Sequence, residues 1–112
     1  MERVLDLQKN KETEKVIPLP EKFILKQNRP NPFNLTTRIH YRIPKDTHVS
    51  ITIFDEVGKK IVVLVDQEHE AGYHHVDWNA RDKRGNLVNG GVYFYQFQSK
   101  DYVKTRKMIL LK

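Results

Sequence analysis

From residue 21 to the C-terminus, apolar and polar residues alternate in short runs with a period of two. Over residues 21–27, Phe23 and Leu25 stand against Lys22, Ile24 and Lys26. Over 37–43, Ile39, Tyr41 and Ile43 stand against Arg38, His40 and Arg42, and over 48–54 Val49, Ile51 and Ile53 stand against Ser50 and Thr52. That period places alternate side chains on opposite faces of a strand, one face toward a core. Residues 61–65 are apolar throughout, which predicts a strand buried on both faces or at an interface. Residues 67–72 read as a polar loop closed by Gly72. Residues 73–78 alternate again, with His74, Val76 and Trp78 on one face, and Trp78, the single tryptophan, is expected at the centre of the core. Tyr93, Tyr95 and Phe97 mark a strand over 92–98, and the last strand spans 105–111.

Turn chemistry separates these runs. Pro44 ends the second strand, Asp55-Glu56-Val57-Gly58 predicts a hairpin, and Asn89-Gly90-Gly91 and Ser99-Lys100-Asp101 predict tight reversals. No segment of useful length has helical period. The predicted fold is all-β, an immunoglobulin-like antiparallel β-sandwich of about seven strands over residues 21–112. Residues 1–20 carry no sustained apolar face and read as a flexible leader or linker. Between leader and sandwich lies Gln27-Asn28-Arg29-Pro30-Asn31-Pro32-Phe33-Asn34. Each proline lacks an N–H and pushes the preceding residue toward extended geometry, and Asn31 can close a turn through its own side chain. The segment predicts an ordered kink, with the flanking prolines putting the strand over 21–27 at a sheet edge.

Composition narrows the classes. One domain of 112 residues with 30% charged and 38% hydrophobic residues fits a single sandwich core. With no cysteine there is no disulfide framework and no thiolate metal site. No apolar run reaches the roughly 20 residues of a membrane helix. The N-terminal residues are too acidic and too briefly apolar for a signal peptide, so a secreted fate implies that the chain is a fragment of something longer. The net charge of +6 is scattered over residues 21–112 in basic doublets such as Lys59-Lys60, Lys83-Arg84 and Arg106-Lys107. No arginine stripe with interleaved aromatics marks a nucleic-acid groove. By charge sign alone, anionic lipopolysaccharide is a candidate partner.

Chemistry of other kinds finds little support. His74 and His75 are adjacent on a strand and point to opposite faces, and His69 stands beside Glu68 and Glu70 in a predicted loop, short of the ligands a zinc site needs. Asp77, Asn79 and Asp82 are weak calcium candidates; Arg81 interrupts the ligand spacing, and the plainer reading is a loop in which Asp and Asn cap backbone amides. Neither serine sits in a nucleophile elbow, and no glycine-rich loop opens a helix, so neither an enzyme nor a cofactor site is expected. The aromatics Tyr73, Trp78, Tyr93, Phe94 and Tyr95 could form a sugar platform, but most alternate as core residues do; Phe94 and Tyr102 fall off the inward face.

Six motifs in order carry a resemblance: Leu25-Lys-Gln-Asn-Arg-Pro-Asn-Pro-Phe-Asn; Thr37-Arg-Ile-His-Tyr-Arg-Ile-Pro; Ile51-Thr-Ile-Phe-Asp-Glu-Val-Gly; Ala71-Gly-Tyr-His-His-Val-Asp-Trp-Asn; Gly90-Gly-Val-Tyr-Phe-Tyr; and Lys107-Met-Ile-Leu-Leu-Lys. Together they resemble the C-terminal sorting domain of the type IX secretion system, in the variant similar to the immunoglobulin-like domain of the flagellar hook-capping protein. Arg29, Leu35 and Asn89 depart from the family's common residues without touching the strand pattern. The resemblance implies a non-catalytic module that directs an upstream cargo domain across the outer membrane to the cell surface. It further implies the secretion machinery and a sortase-type protease as partners. Recognition would fall on Pro30, Asn31 and Pro32 in the kink and on Gly90 and Gly91 in the turn. In the terminal strand it would fall on Lys107, Met108, Ile109, Leu110, Leu111 and Lys112, which could serve as a free edge for strand addition. Two other functions fit the residues: an accessory carbohydrate- or protein-binding module, which predicts an exposed aromatic patch, and a structural domain that self-associates through its edges.

Overall fold

The computed structural model describes residues 18–111, so the expected leader lies outside the described residues up to position 17, as does Lys112. The period-two segments form seven strands: β1 (Ile24–Leu25), β2 (Thr37–Ile43), β3 (Thr47–Asp55), β4 (Lys60–His69), β5 (Gly72–Trp78), β6 (Gly91–Gln98) and β7 (Val103–Leu110). They pair antiparallel in two sheets, one ordered β1-β2-β5 and the other β4-β3-β6-β7. The chain changes sheets between β2 and β3, between β4 and β5, and between β5 and β6.

The inward faces are those the alternation predicts. Ile39, Tyr41 and Ile43 of β2 are buried against Val49, Ile51 and Ile53 of β3 and Tyr93, Tyr95 and Phe97 of β6. Trp78 is buried at the end of β5, its ring 5.9 Å from Phe33 and 5.3 Å from Tyr93, with Nε1 donating to the Arg81 carbonyl at 2.9 Å. The indole therefore fills the core and satisfies its one donor. At the β3–β4 hairpin, Asp55 Oδ1 accepts from Val57 N and Lys59 N, and Gly58 takes φ +86°, where a side chain would be strained.

Three expectations need correction. The apolar run 61–65 is not buried on both faces: β4 is an edge strand in which only Val65 is buried and Val63 is 41% exposed. The reason is two register shifts against β3, between Ile51 and Thr52 and between Ile53 and Phe54, which give β4 extra residues. Each bulge flips the facing of the residues beyond it, so consecutive apolar residues each gain partial cover. The same strand runs on through His69, pairing it with Thr47, so 67–72 is a strand end and a short turn rather than a loop. The segment 21–27 forms only a two-residue strand, because beyond Leu25 regular pairing gives way to single contacts with β2, from Lys26 to His40 and from Arg29 to Arg38, as the chain enters the kink; its edge position is as expected.

Candidate functional site

The kink folds around one buried amide. Asn28, 1% exposed, donates from its backbone N to Tyr95 Oη at 2.8 Å and from Nδ2 to Thr37 Oγ1 at 2.9 Å and to the Pro30 carbonyl at 3.2 Å. Its Oδ1 accepts from Gln27 Nε2 at 2.7 Å. Tyr95 Oη in turn donates to the Lys26 carbonyl at 2.7 Å, so a core tyrosine of the four-stranded sheet holds the kink at two backbone groups. Buried polar groups of this kind are stable only when satisfied, and these are. Both proline bonds, Arg29–Pro30 and Asn31–Pro32, are cis.

The same segment clasps the terminal strand. β7 pairs with β6 on one side and is the sheet edge on the other. Along that outer side, Arg106 Nε donates to the Leu25 carbonyl at 2.6 Å and Gln27 Nε2 to the Lys107 carbonyl at 2.7 Å. Ile109 N donates to Asn31 Oδ1 at 2.9 Å, Phe33 N to the Ile109 carbonyl at 3.0 Å, and Leu111 N to the Phe33 carbonyl at 2.7 Å. Asn31 thus reaches across the molecule rather than closing its own turn. The expectation of a free terminal edge also changes: from Arg106 to Leu111 the edge is occupied by the kink, and the stretch of β7 the kink leaves unclasped is Val103–Thr105.

The expected recognition residues that fall among the described ones come together at one corner. Pro30, Asn31 and Pro32 lie exposed on the outer side of β7, and Gly91 lies on its inner side, opposite Leu110. Gly91 has φ +150° where the chain turns into β6 just after Gly90. Met108 and Leu110 belong to the core, whereas Lys107, Ile109 and Leu111 are exposed. Beside the corner opens a cleft of about 660 Å³ lined by residues 24–31 and Arg106; Lys26, Arg29 and Arg106 are its charged residues and none of its lining residues is acidic. Sequence reasoning missed Asn28, Thr37 and Tyr95 as the elements that hold this corner, since a buried polar network has no periodic signature.

The remaining candidates are spread out. Asp77 is gripped by Arg38 through both carboxylate oxygens, at 2.7 and 3.2 Å, and that bond together with the guanidinium charge holds its carboxyl below the usual range. Asp82 Oδ1 accepts from Arg84 N and Asn86 N, capping its own loop. Asn79 is exposed. Among the described residues no three of His, Cys, Asp and Glu converge as a metal site. His69 is in β4 rather than a loop, its Nε2 sharing a hydrogen bond with Tyr41 Oη at 3.0 Å and its ring 4.3 Å from His74. Burial first, then the charges of His74 and His48, lower its pKa. Tyr102 is not free either; it stacks on Phe23 with ring centroids 5.1 Å apart. Phe94 is half-buried on the outer face, opposite Phe54.

Known proteins share this fold. The sequence profile described as "Secretion system C-terminal sorting domain" matches residues 29–111, from the kink to the end of the clasped strand. No curated protein sequence matches the chain. Among solved structures, dimeric latent PorU from Porphyromonas gingivalis superposes with a TM-score of 0.64 at 16% identity, over 91% of this chain and 10% of that one. PorZ, described as an essential bacterial surface component of the type-IX secretion system of the same organism, superposes with a TM-score of 0.50 at 21% identity, over 77% of this chain and 11% of that one. The chain spans about a tenth of the length of each, and at such identities the likeness is one of fold. With the profile covering residues 29–111, six of the seven strands and most of the chain, the chain belongs to the family of secretion-system C-terminal sorting domains.

Proposed function

We propose that this domain is a non-catalytic sorting module. It directs a cargo protein joined upstream across the outer membrane to the cell surface, and its recognition surface is the corner where the kink clasps β7. Residues 21–112 form the sorting unit, and residues 1–20 connect it to the cargo and give a sortase-type protease its access. The observation that carries the reading is the clasp. Residues 78 positions apart meet through Asn31 and Ile109, so the two ends of the family's matched segment present one surface. A secretion apparatus can read such a surface only from the folded domain. The fold shared with PorU and with PorZ, a surface component of the type-IX system, supports a partner among the components of that machinery.

The carbohydrate-binding alternative needs an exposed aromatic platform. Among the described residues the only aromatic that is largely exposed is Tyr73, and the Arg42 guanidinium covers its ring at 5.0 Å. One ring so covered is not a stacking platform. The test of the sorting reading is a fusion of residues 18–112 to a periplasm-directed fluorescent reporter in a bacterium with a type IX system. Surface or medium fluorescence is expected, lost when the domain is removed or the host's secretion apparatus is inactivated. Retention of the folded fusion in the periplasm would reject the reading.

A further inference from the structure

The outer face of the three-stranded sheet is unlike the rest of the surface. Along β2, Arg38, His40 and Arg42 point outward. His75 stands directly opposite His40, with ring centroids 5.7 Å apart, and Tyr73 stands opposite Arg42. On the β1 side, Lys26 bonds through its backbone to His40 and Arg29 pairs with Arg38. The one acid of the β2 and β5 outward rows, Asp77, is taken up by Arg38, which leaves Lys26, Arg29 and Arg42 without an acidic partner among the described residues, beside two imidazoles. The field is felt within the face: His40 titrates below its ordinary value through burial, then His75, Arg38, Lys26 and Arg29.

One end of this face is apolar. Tyr73 is 52% exposed and its hydroxyl donates to the Pro18 carbonyl at 3.2 Å, which brings the chain at Pro18 to the edge of this face; the next residue, Leu19, is 60% exposed. The half-buried Ile24 lies in the same row, opposite Arg42. Neighbouring strands are about 4.8 Å apart and same-face residues about 6.8 Å apart. The cations are therefore spread over a plane, too dispersed to converge on a single phosphate. A planar spread of cations bordered by an exposed tyrosine and an exposed leucine is the composition that settles at a lipid–water interface. A soluble acidic segment would gain nothing from the apolar border.

We propose that this face seats the domain on an anionic, phosphate-bearing lipid headgroup layer, with Lys26, Arg29 and Arg42 meeting the phosphates and Leu19 and Tyr73 entering the interface. The anionic lipopolysaccharide expected from charge sign is one such layer. Lys26 and Arg29 also line the cleft beside the clasped corner, but vesicle binding is read without export, so failure of this proposal and failure of the sorting reading are distinguishable. The test is co-sedimentation of the chain with phosphatidylcholine vesicles, with and without phosphatidylglycerol. Binding is expected only to the anionic vesicles, weakening with added salt. The K26Q/R29Q/R42Q variant should bind roughly tenfold to a hundredfold more weakly. The K60Q/K83Q/K104Q variant, with the same loss of net charge elsewhere, should bind as the parent does. Thermal melts establish that both variants fold. Equal losses in the two variants would overturn the proposal in favour of diffuse charge. So would an absence of binding to anionic vesicles. Equal affinity for soluble polyglutamate, unaffected by Leu19→Ser, would overturn it in favour of an acidic protein partner.

Discussion

At the scale of single residues, the corner depends on Tyr95 and Asn28. Tyr95 Oη is both acceptor for Asn28 N and donor to the Lys26 carbonyl. Tyr95→Phe leaves both backbone groups unpaired, and each unmet buried group costs about 1–3 kcal/mol. Urea melts should show a loss of about 2–4 kcal/mol on that basis. Asn28→Ala should cost a similar amount, and the double variant less than the sum, because the two residues share a bond. Additive losses would mean the network is not a unit. The same tyrosine, with Tyr41, sets an alkaline limit. Burial pushes both hydroxyls up to about 12, opposed at Tyr95 by the Asn28 bond and Arg106. The folded state thus favours the neutral phenol. The stability this gives is complete below the unfolded value of about 10 and is lost as pH rises toward about 12, by up to about 2–3 kcal/mol per tyrosine. Melts across that range should fall with the appearance of tyrosinate absorbance, and Tyr41→Phe should reduce the slope.

The element scale is where sequence and structure part. Strands β2, β3, β5 and β6 were legible because each alternates cleanly and has one buried face; Thr37–Ile43 even keeps its predicted ends. Four of the six family motifs lie on those strands and their turns; the other two are the kink and the end of β7. β4 was not, because two bulges broke its alternation and a run of apolar residues then mimics a buried strand. The recognition corner was legible as separate pieces, the kink and the terminal strand. Their union was not, because it rests on bonds between residues about 80 positions apart that no local pattern records. That union makes its own forecast. Asn31→Ala removes the acceptor of the Ile109 amide at a solvent-exposed edge, so its cost in stability should be small, about 0.5–1.5 kcal/mol. Amide exchange at Ile109 should nevertheless rise markedly while the Tyr95 amide stays protected. Unchanged exchange at Ile109 would mean the clasp does not hold in solution.

For the whole molecule, two surfaces stand out: a corner where kink and terminal strand tie the two sheets together, and the basic outer face of the three-stranded sheet that borders it. Cutting off residues 107–112 would not test the corner, since Met108 and Leu110 are core residues and their loss would unfold the sandwich. The direct measurement is export of the fluorescent fusion carrying K107E/I109S/L111S, which changes only the exposed positions of the strand end. It should be compared with K60E/V63S on the opposite edge of the same sheet, after melts have shown both to be folded. If the corner is what the secretion apparatus reads, the corner variant stays in the periplasm and the β4 variant reaches the surface. Export of the corner variant at the parent's level would show that recognition lies elsewhere on the domain.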